Sequence, residues 1–311
     1  MEIPEIIFIV PYRDRKTQKF FFSKHMEYIL ENLNYEIYFV HQYDERPFNR
    51  GAMKNIGFLT MKKKYPIHYE NITFVFHDID TLPFDKILDY ITIPYVVRHF
   101  YGFEHSLGGI FSILGHDFEK TLGFPTLWGW GQEDTIMQKR CLDANLQIDR
   151  NQFYKIGSPE ILHLFDGIQR VINPGEIKYL AKNVEKLNST SIENICYSID
   201  KDSLNLIDNI FVINNSKIMY INVTWFNTIN KITDNFYSYD IRQPISKIHS
   251  PEKNKKINTN KSFEWNEIPY YPSLNQKKYI SIFSSEYATI NKIKPKSTTS
   301  ANIGLGGIIR K

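Results

Sequence analysis

The chain has 311 residues, 42% of them hydrophobic and 15% aromatic, enough for a substantial core in one large domain or two small ones. Its formal net charge of +4, from 38 basic and 34 acidic residues, includes no dominant basic block and argues against a nucleic-acid binder. Two cysteines, Cys141 and Cys196, exclude a disulfide framework and a cysteine-rich metal centre, which fits a reducing compartment. No apolar run is long enough to span a bilayer. Residues 1–12 lack the basic start and small-residue cleavage site of a signal peptide, so neither a leader nor an integral membrane segment is expected. Asn71, Asn188 and Asn222 each begin an Asn-x-Thr triplet, read here as accidents of an Asn-rich composition.

Ile6 to Val10 is a continuous apolar run, the mark of a buried strand. It leads into Pro11, Tyr12, Arg13, Asp14 and Arg15, where arginines just past a strand end offer bidentate forks to a phosphate. The spacing of Phe21, Phe22, His25, Met26, Ile29 and Leu33 predicts a helix over 17–33. A strand follows over 37–40. Asn49 then offers an N-cap for a helix running to about Lys64. Arg50 falls in its first turn, against the helix dipole, which suggests an anion partner.

The apolar, β-branched and aromatic run 72–76 predicts a third strand, ending in His77-Asp78-Ile79-Asp80. Two close carboxylates repel, and a hard divalent cation with a phosphate ligand relieves that repulsion. The β-α-β-α-β order predicts an α/β fold, a largely parallel sheet covered by helices, which binds ligands at the strands' carboxyl edge. Further on, a short helix is expected over 84–90 and a strand over 95–97. The pair Gly108-Gly109 suggests close backbone approach. In Trp128-Gly129-Trp130-Gly131-Gln132-Glu133-Asp134, glycines free the backbone and indoles give flat faces for sugars. The two acids then open a helix. His163 sits in an apolar run. Strands are expected over 211–213 and 218–225. From about 227 the chain turns rich in Asn, Lys and Ser, which predicts an irregular extension with a flexible end.

Phe8 to Arg15, Phe48-Asn49-Arg50, Asn55-Ile56-Gly57-Phe58, Phe76 to Pro83, Gly108-Gly109, Gly123-Phe124-Pro125 and Trp128 to Asp134 together resemble the β-1,4-galactosyltransferase family, in its order and at similar spacing. The resemblance covers roughly 5–166. It implies a GT-A (Rossmann-like) catalytic domain over 1–226, an inverting transfer from a UDP-sugar, and Mn²⁺. By position, it implies that Pro11, Tyr12, Arg13 and Arg15 hold the uridine diphosphate, with Phe48, Arg50 and Asp78 as further donor contacts. Asp80 and His163 match metal ligands, and Glu160 falls where some members place a second one. Trp130, Glu133 and Asp134 match the donor, acceptor and catalytic segment, with Gly108 and Gly109 on the acceptor side and Asp134 as base.

Three departures shape the expected function. Thr135 stands where the family usually has a third acid. Ser106 falls near a tyrosine that limits space at donor C2, so UDP-N-acetylgalactosamine joins UDP-galactose as an expected donor, with a glycan or glycoconjugate acceptor. The absent anchor and disulfides suggest a cytoplasmic enzyme, and the composition suggests a microbial or viral source. Two rivals stay open: a sugar- or nucleotide-binding module that has lost transfer, and a metal-dependent phosphoesterase.

Overall fold

The computed structural model describes residues 3–164, 169–201, 216–232 and 236–240. The strand expected over 211–213 and the extension beyond 240 lie outside the described residues. The chain divides into two compact units, Met1–Gly167 with Val171–Tyr237, and Ile168–Arg170 with Ser238–Lys311. Everything below on the sheet, core and site concerns the first unit.

The chain opens with β1 (Ile6–Tyr12), α1 (Lys16–Ile29), β2 (Tyr35–Gln42), α2 (Arg50–Lys64) and β3 (Thr73–His77), the expected alternation. Asn49 caps α2 as its sequence position predicts, its side chain accepting from the Ala52 N–H at 2.9 Å. β4 (Thr81–Pro83), β5 (Val96–Gly102), β6 (Ile110–Leu114), α3 (Gly115–Lys120), α4 (Glu133–Asp143), β7 (Gln147–Asp149), β8 (Tyr154–Lys155) and β9 (Ile161–His163) follow. The last elements are β10 (Gln169–Ile172), α5 (Pro174–Asn183), β11 (Glu193–Lys201), β12 (Ile218–Asn227) and β13 (Tyr237–Asp240).

The main sheet runs β11-β12-β2-β1-β3-β6-β5-β7, with β8 also on β5. Its centre is parallel: β1 pairs with β2 and β3, and β2 with β12. β6 enters antiparallel to both β3 and β5, and β11 is antiparallel to β12, so the sheet is mixed. Side chains alternate between its faces, as strand geometry requires. Ile7, Ile9, Tyr38, Val40, Phe74 and Phe76 pack with Ala52, Met53 and Ile56 of α2 and with Met137 and Cys141 of α4. Ile6, Phe8, Val10, Ile37, Phe39 and Val75 pack with Phe22, Met26 and Ile29 of α1.

The expected helix over 84–90 is absent; that stretch is bends and irregular backbone. Leu88 and Tyr90 are buried while Asp89 is exposed, and Tyr90 takes a left-handed backbone (φ +59°), which a continuous right-handed helix does not allow. α1 ends at Ile29, short of Leu33, and leaves Phe21 43% exposed while burying Lys19. Two of the Asn-x-Thr triplets are built into structure. Asn188 caps a turn by accepting from the Thr190 and Ser191 N–H groups, and Asn222 donates to Asp200 from within β12. Among the described residues no helix is long and apolar enough to cross a membrane.

α2 lies close to the sheet because Gly57 faces it. A methyl group there would sit 2.7 Å from Ile9 Cγ2 and 2.8 Å from Val40 Cγ2. Gly57→Ala should therefore destabilise by about 1–3 kcal/mol through overpacking. Thermal unfolding checks this: the midpoint should fall by several degrees, on the order of 2–4 °C per kcal/mol. An unchanged midpoint would show that the helix can lift off without cost.

Candidate active site

Parallel strands put their carboxyl ends on one edge. The residues after β1, β2 and β3 therefore meet there: Arg13 and Arg15, then Phe48 and Arg50, then Asp78. β6 runs the other way, so its beginning comes to the same edge. His77 pairs with Ile110, and the Asp78 N–H donates to the Gly109 carbonyl at 2.9 Å. The start of α4 is fastened beside them, with the Leu107 N–H donating to the Asp134 carbonyl at 3.0 Å. Topology thus gathers most of the expected residues before any side chain is considered.

The side chains form a five-charge cluster. Arg50 bonds Asp78 and lies 3.3 Å from Glu133. Lys54, one turn further along α2, donates to Asp134 Oδ1 at 2.8 Å. Burial alone works against the Arg50 charge, but the Asp78, Asp134 and Glu133 carboxylates outweigh it and hold the guanidinium more firmly protonated than usual. Burial also pushes the Asp78 carboxyl up, yet Arg50 and Lys54 bring it below its ordinary value. Glu133 goes the other way: burial and the neighbouring Asp134 lift it, only partly offset by Arg50 and Lys54.

Asp80 and His163 are brought together by a separate two-stranded ribbon. β4 pairs with β9, Thr81 opposite His163, and the Leu164 N–H donates to the Asp80 carbonyl at 2.6 Å. Asp80 Oδ2 and His163 Nε2 are 3.7 Å apart, too far for a hydrogen bond. Both side chains keep solvent access, and a carboxylate oxygen with an imidazole nitrogen suits Mn²⁺, so the pair fits such an ion. Glu160 touches this ribbon through its backbone, accepting from the Phe84 N–H at 2.7 Å. Among the described residues no group of three or more His, Cys, Asp or Glu side chains is placed to hold a metal, so Glu160 does not complete a third ligand here.

Pro11 and Tyr12 are inside β1 and buried, not in a loop, because the β1–β2 ladder continues through Pro11–Val40 and Tyr12–His41. The β1–β3 ladder stops at Ile9–Phe76, so the N–H that Pro11 lacks is not missed on that side. Arg13 bonds the Arg46 carbonyl and donates to the Asp44 carbonyl at 2.8 Å, which aims its guanidinium along the loop after β2. The two tryptophans part company. Trp128 is buried, stacked on Phe226 at 5.3 Å with Arg46 4.8 Å from its ring, while Trp130 is 42% exposed. Gly129 (φ +103°) turns the chain between them, and Gly131 (φ +116°) and Gln132 (φ +71°) turn it again before α4. Beside α4, a cavity of about 630 Å³ is lined by Phe103, Ser106, Thr135, Lys155 and Ile156, among others.

Family models match nearly all of this region: the N-terminal region of glycosyl transferase group 7 over residues 3–92, and the N-terminal domain of galactosyltransferase over 95–164. The chain belongs to the β-1,4-galactosyltransferase family. It is 29% identical over 170 residues to mouse beta-1,4-galactosyltransferase 7, covering 51% of this chain and 50% of that one. It is 29% identical over 222 residues to the Caenorhabditis elegans xylosylprotein 4-beta-galactosyltransferase, covering 63% and 72%. Among solved structures, the catalytic domain of Drosophila beta1,4galactosyltransferase 7 with xylobiose matches with a TM-score of 0.54 at 22% identity, over 71% of this chain and 94% of that one. A variant of the same enzyme, with manganese, UDP-Gal and xylobiose, matches with a TM-score of 0.51 at 23% identity, covering 71% and 94%. The fold is that of these GT-A catalytic domains. The chain spans about half the length of the first of these relatives. All are animal proteins, which lends no support to a microbial or viral source or to a cytoplasmic location.

Within this family member the sequence reading missed two residues that hold the site. Lys54 is one; its i, i+4 spacing from Arg50 was the available signal. His99 is the other. Its Nε2 lies 3.1 Å from both the Gly108 and Tyr101 carbonyls, and its Nδ1 accepts from Arg150 Nε at 3.2 Å. Those partners require the neutral ring. Burial, reinforced by Arg150, pushes His99 down to about 4, and burial does the same to His77. The unfolded chain takes up these protons near pH 6.5, whereas the folded chain refuses them until about 4. Stability should be full above pH 6.5 and fall as pH drops toward 4. Melting curves across that window test this. His99→Gln should make the fall shallower, and an unchanged slope would remove His99 from the account.

Proposed function

We propose that this chain is an inverting glycosyltransferase that moves galactose or N-acetylgalactosamine from a UDP-sugar to a hydroxyl of a glycan or glycoconjugate, with Mn²⁺. One observation carries the reading: Asp134, the Arg50–Asp78 pair and the Asp80–His163 pair are presented by converging elements of one fold, and the segment leading into Asp134 carries an exposed Trp130. Support comes from family membership and from the Drosophila relative's structures with manganese, UDP-Gal and xylobiose. A xyloside is therefore the first acceptor to try.

The residues take these roles. Asp80 and His163 hold the Mn²⁺, which when bound offsets charge gathering on the departing diphosphate. Arg13 and Arg15, beyond β1, meet the donor's phosphates. Phe48 and Asp78 face the donor, and Arg50 fixes Asp78. Trp130 stacks on sugar and holds the acceptor for in-line attack. Asp134 takes the proton from the attacking hydroxyl, a contribution on the order of 10²–10⁴-fold. The small Ser106 leaves room for an N-acetyl group. The cavity reaching Thr135 takes the remainder of the acceptor. Catalysis resides in residues 1–226, with 227–311 as an extension.

A panel of UDP-Gal, UDP-GalNAc, UDP-Glc and UDP-GlcNAc, with and without Mn²⁺, tests the donor site by thermal shift. A ligand at about 100 times its Kd stabilises by about 2.7 kcal/mol. The shift should need Mn²⁺ and vanish in Asp80→Ala. Asp134→Asn should keep the shift and lose transfer to a xyloside. Transfer at near wild-type rate in that variant would mean another base. A shift without turnover on any acceptor would favour the binding-module reading, and release of phosphate from simple esters would favour the phosphoesterase.

A further inference from the structure

We propose that Lys54 is the positioning residue for the Asp134 carboxylate, leaving Oδ2 as the oxygen that receives the acceptor's proton. The inference rests on the transferase reading. Lys54 is 1% exposed in its side chain and donates to Asp134 Oδ1 at 2.8 Å. Its ammonium also lies 4.4 Å from the centre of the Phe124 ring, so the charged head is held by a second partner. A buried cation must keep a partner, which makes this contact persistent.

The other carboxylate oxygen is set by a glycine. A methyl group on Gly108 would stand 2.6 Å from Oδ2 and 3.0 Å from Cγ of Asp134. Oδ1 is therefore occupied by Lys54, and Oδ2 lies over a backbone that carries no side chain. Glu133 is not available for the same task, because it is 7% exposed and faces Arg50. In the transfer step the acceptor O–H bond breaks and its proton goes to Oδ2. The freed oxygen pair bonds the anomeric carbon, and the bond from that carbon to UDP breaks with its electrons leaving on UDP.

Lys54→Met keeps the length of the side chain and removes the charge. With UDP-Gal, Mn²⁺ and a xyloside, kcat should fall about 10²-fold while the KM for UDP-Gal and the Mn²⁺-dependent UDP shift stay within about twofold. Lys54→Arg should recover part of the loss. In an Asp134→Asn background, Lys54→Met should change the residual rate by less than about threefold, because both changes act through one group. A merely structural lysine would instead lower stability with kcat intact, or add its loss to that of Asp134→Asn, and either result overturns the proposal. Should Lys54→Met not fold, Gly108→Ala tests the same bracket from the other side. It should cut kcat with UDP binding kept, and a wild-type rate overturns the proposal. Absence of transfer by the wild-type chain would overturn the transferase reading itself, a different outcome from an active wild type with a fully active Lys54 variant.

Discussion

The site depends on how two cations on one helix meet three carboxylates mostly out of water. Arg50 and Lys54 contribute two positive charges against Asp78, Glu133 and Asp134, three negative ones, so full ionisation leaves one negative charge in excess (2 − 3 = −1). The low dielectric makes that excess costly. The excess bears most on Glu133, whose carboxyl is pushed up by burial and Asp134, while Arg50 and Lys54 hold Asp78 below its ordinary value. Each charge of the cluster has an opposite partner in place without substrate, which is what preorganisation requires.

The cluster has its shape because α2 is pinned on two sides. Towards the sheet, Gly57 admits Ile9 and Val40. Towards the chain before α4, the Asn55 side chain donates to the Phe124 carbonyl at 2.8 Å and accepts from the Phe124 N–H at 2.8 Å. Gly51 leaves no room for a side chain against the Pro125 carbonyl. Phe124 in turn joins Phe76, Phe111 and Phe118 in a ring cluster under β3 and β6. The helix that carries the cations is thus locked to the strand that leads to Asp78 and to the segment that leads to Trp130 and Asp134. Packing and electrostatics specify the same geometry.

Local rules made much of this legible. The run before Asp78, the Asn49 cap and the acids opening α4 depend on neighbours in sequence, and each lies where the pattern puts it. The Gly108-Gly109 pair signalled close approach, and the Asp134 carboxylate is what approaches Gly108. What stayed hidden depends on tertiary partners. Nothing local distinguishes Trp128, which stacks on Phe226 some hundred residues away in the chain, from the exposed Trp130. Lys54 reads as one more helical lysine until α4 is placed over it. Leu88 and Tyr90 sit in a window too short to separate a two-residue from a 3.6-residue period.

The adjacent acids Glu133 and Asp134 show how one helix start places two carboxylates in different environments. Successive residues on a helix point about 100° apart. At the first turn of α4 that rotation sends Glu133 inward to Arg50 and Asp134 sideways to Lys54 and Gly108. The helix dipole favours both as anions, so it cannot tell them apart; burial can. Glu133, the more enclosed, gains proton affinity and accepts from the arginine that fixes Asp78. Asp134, three times as exposed at 21% against 7%, is followed directly by Thr135 at the cavity wall. Of the two, only Asp134 combines an orientation fixed by Lys54 with a side chain that reaches solvent, which is why the proposed base is Asp134 and not Glu133.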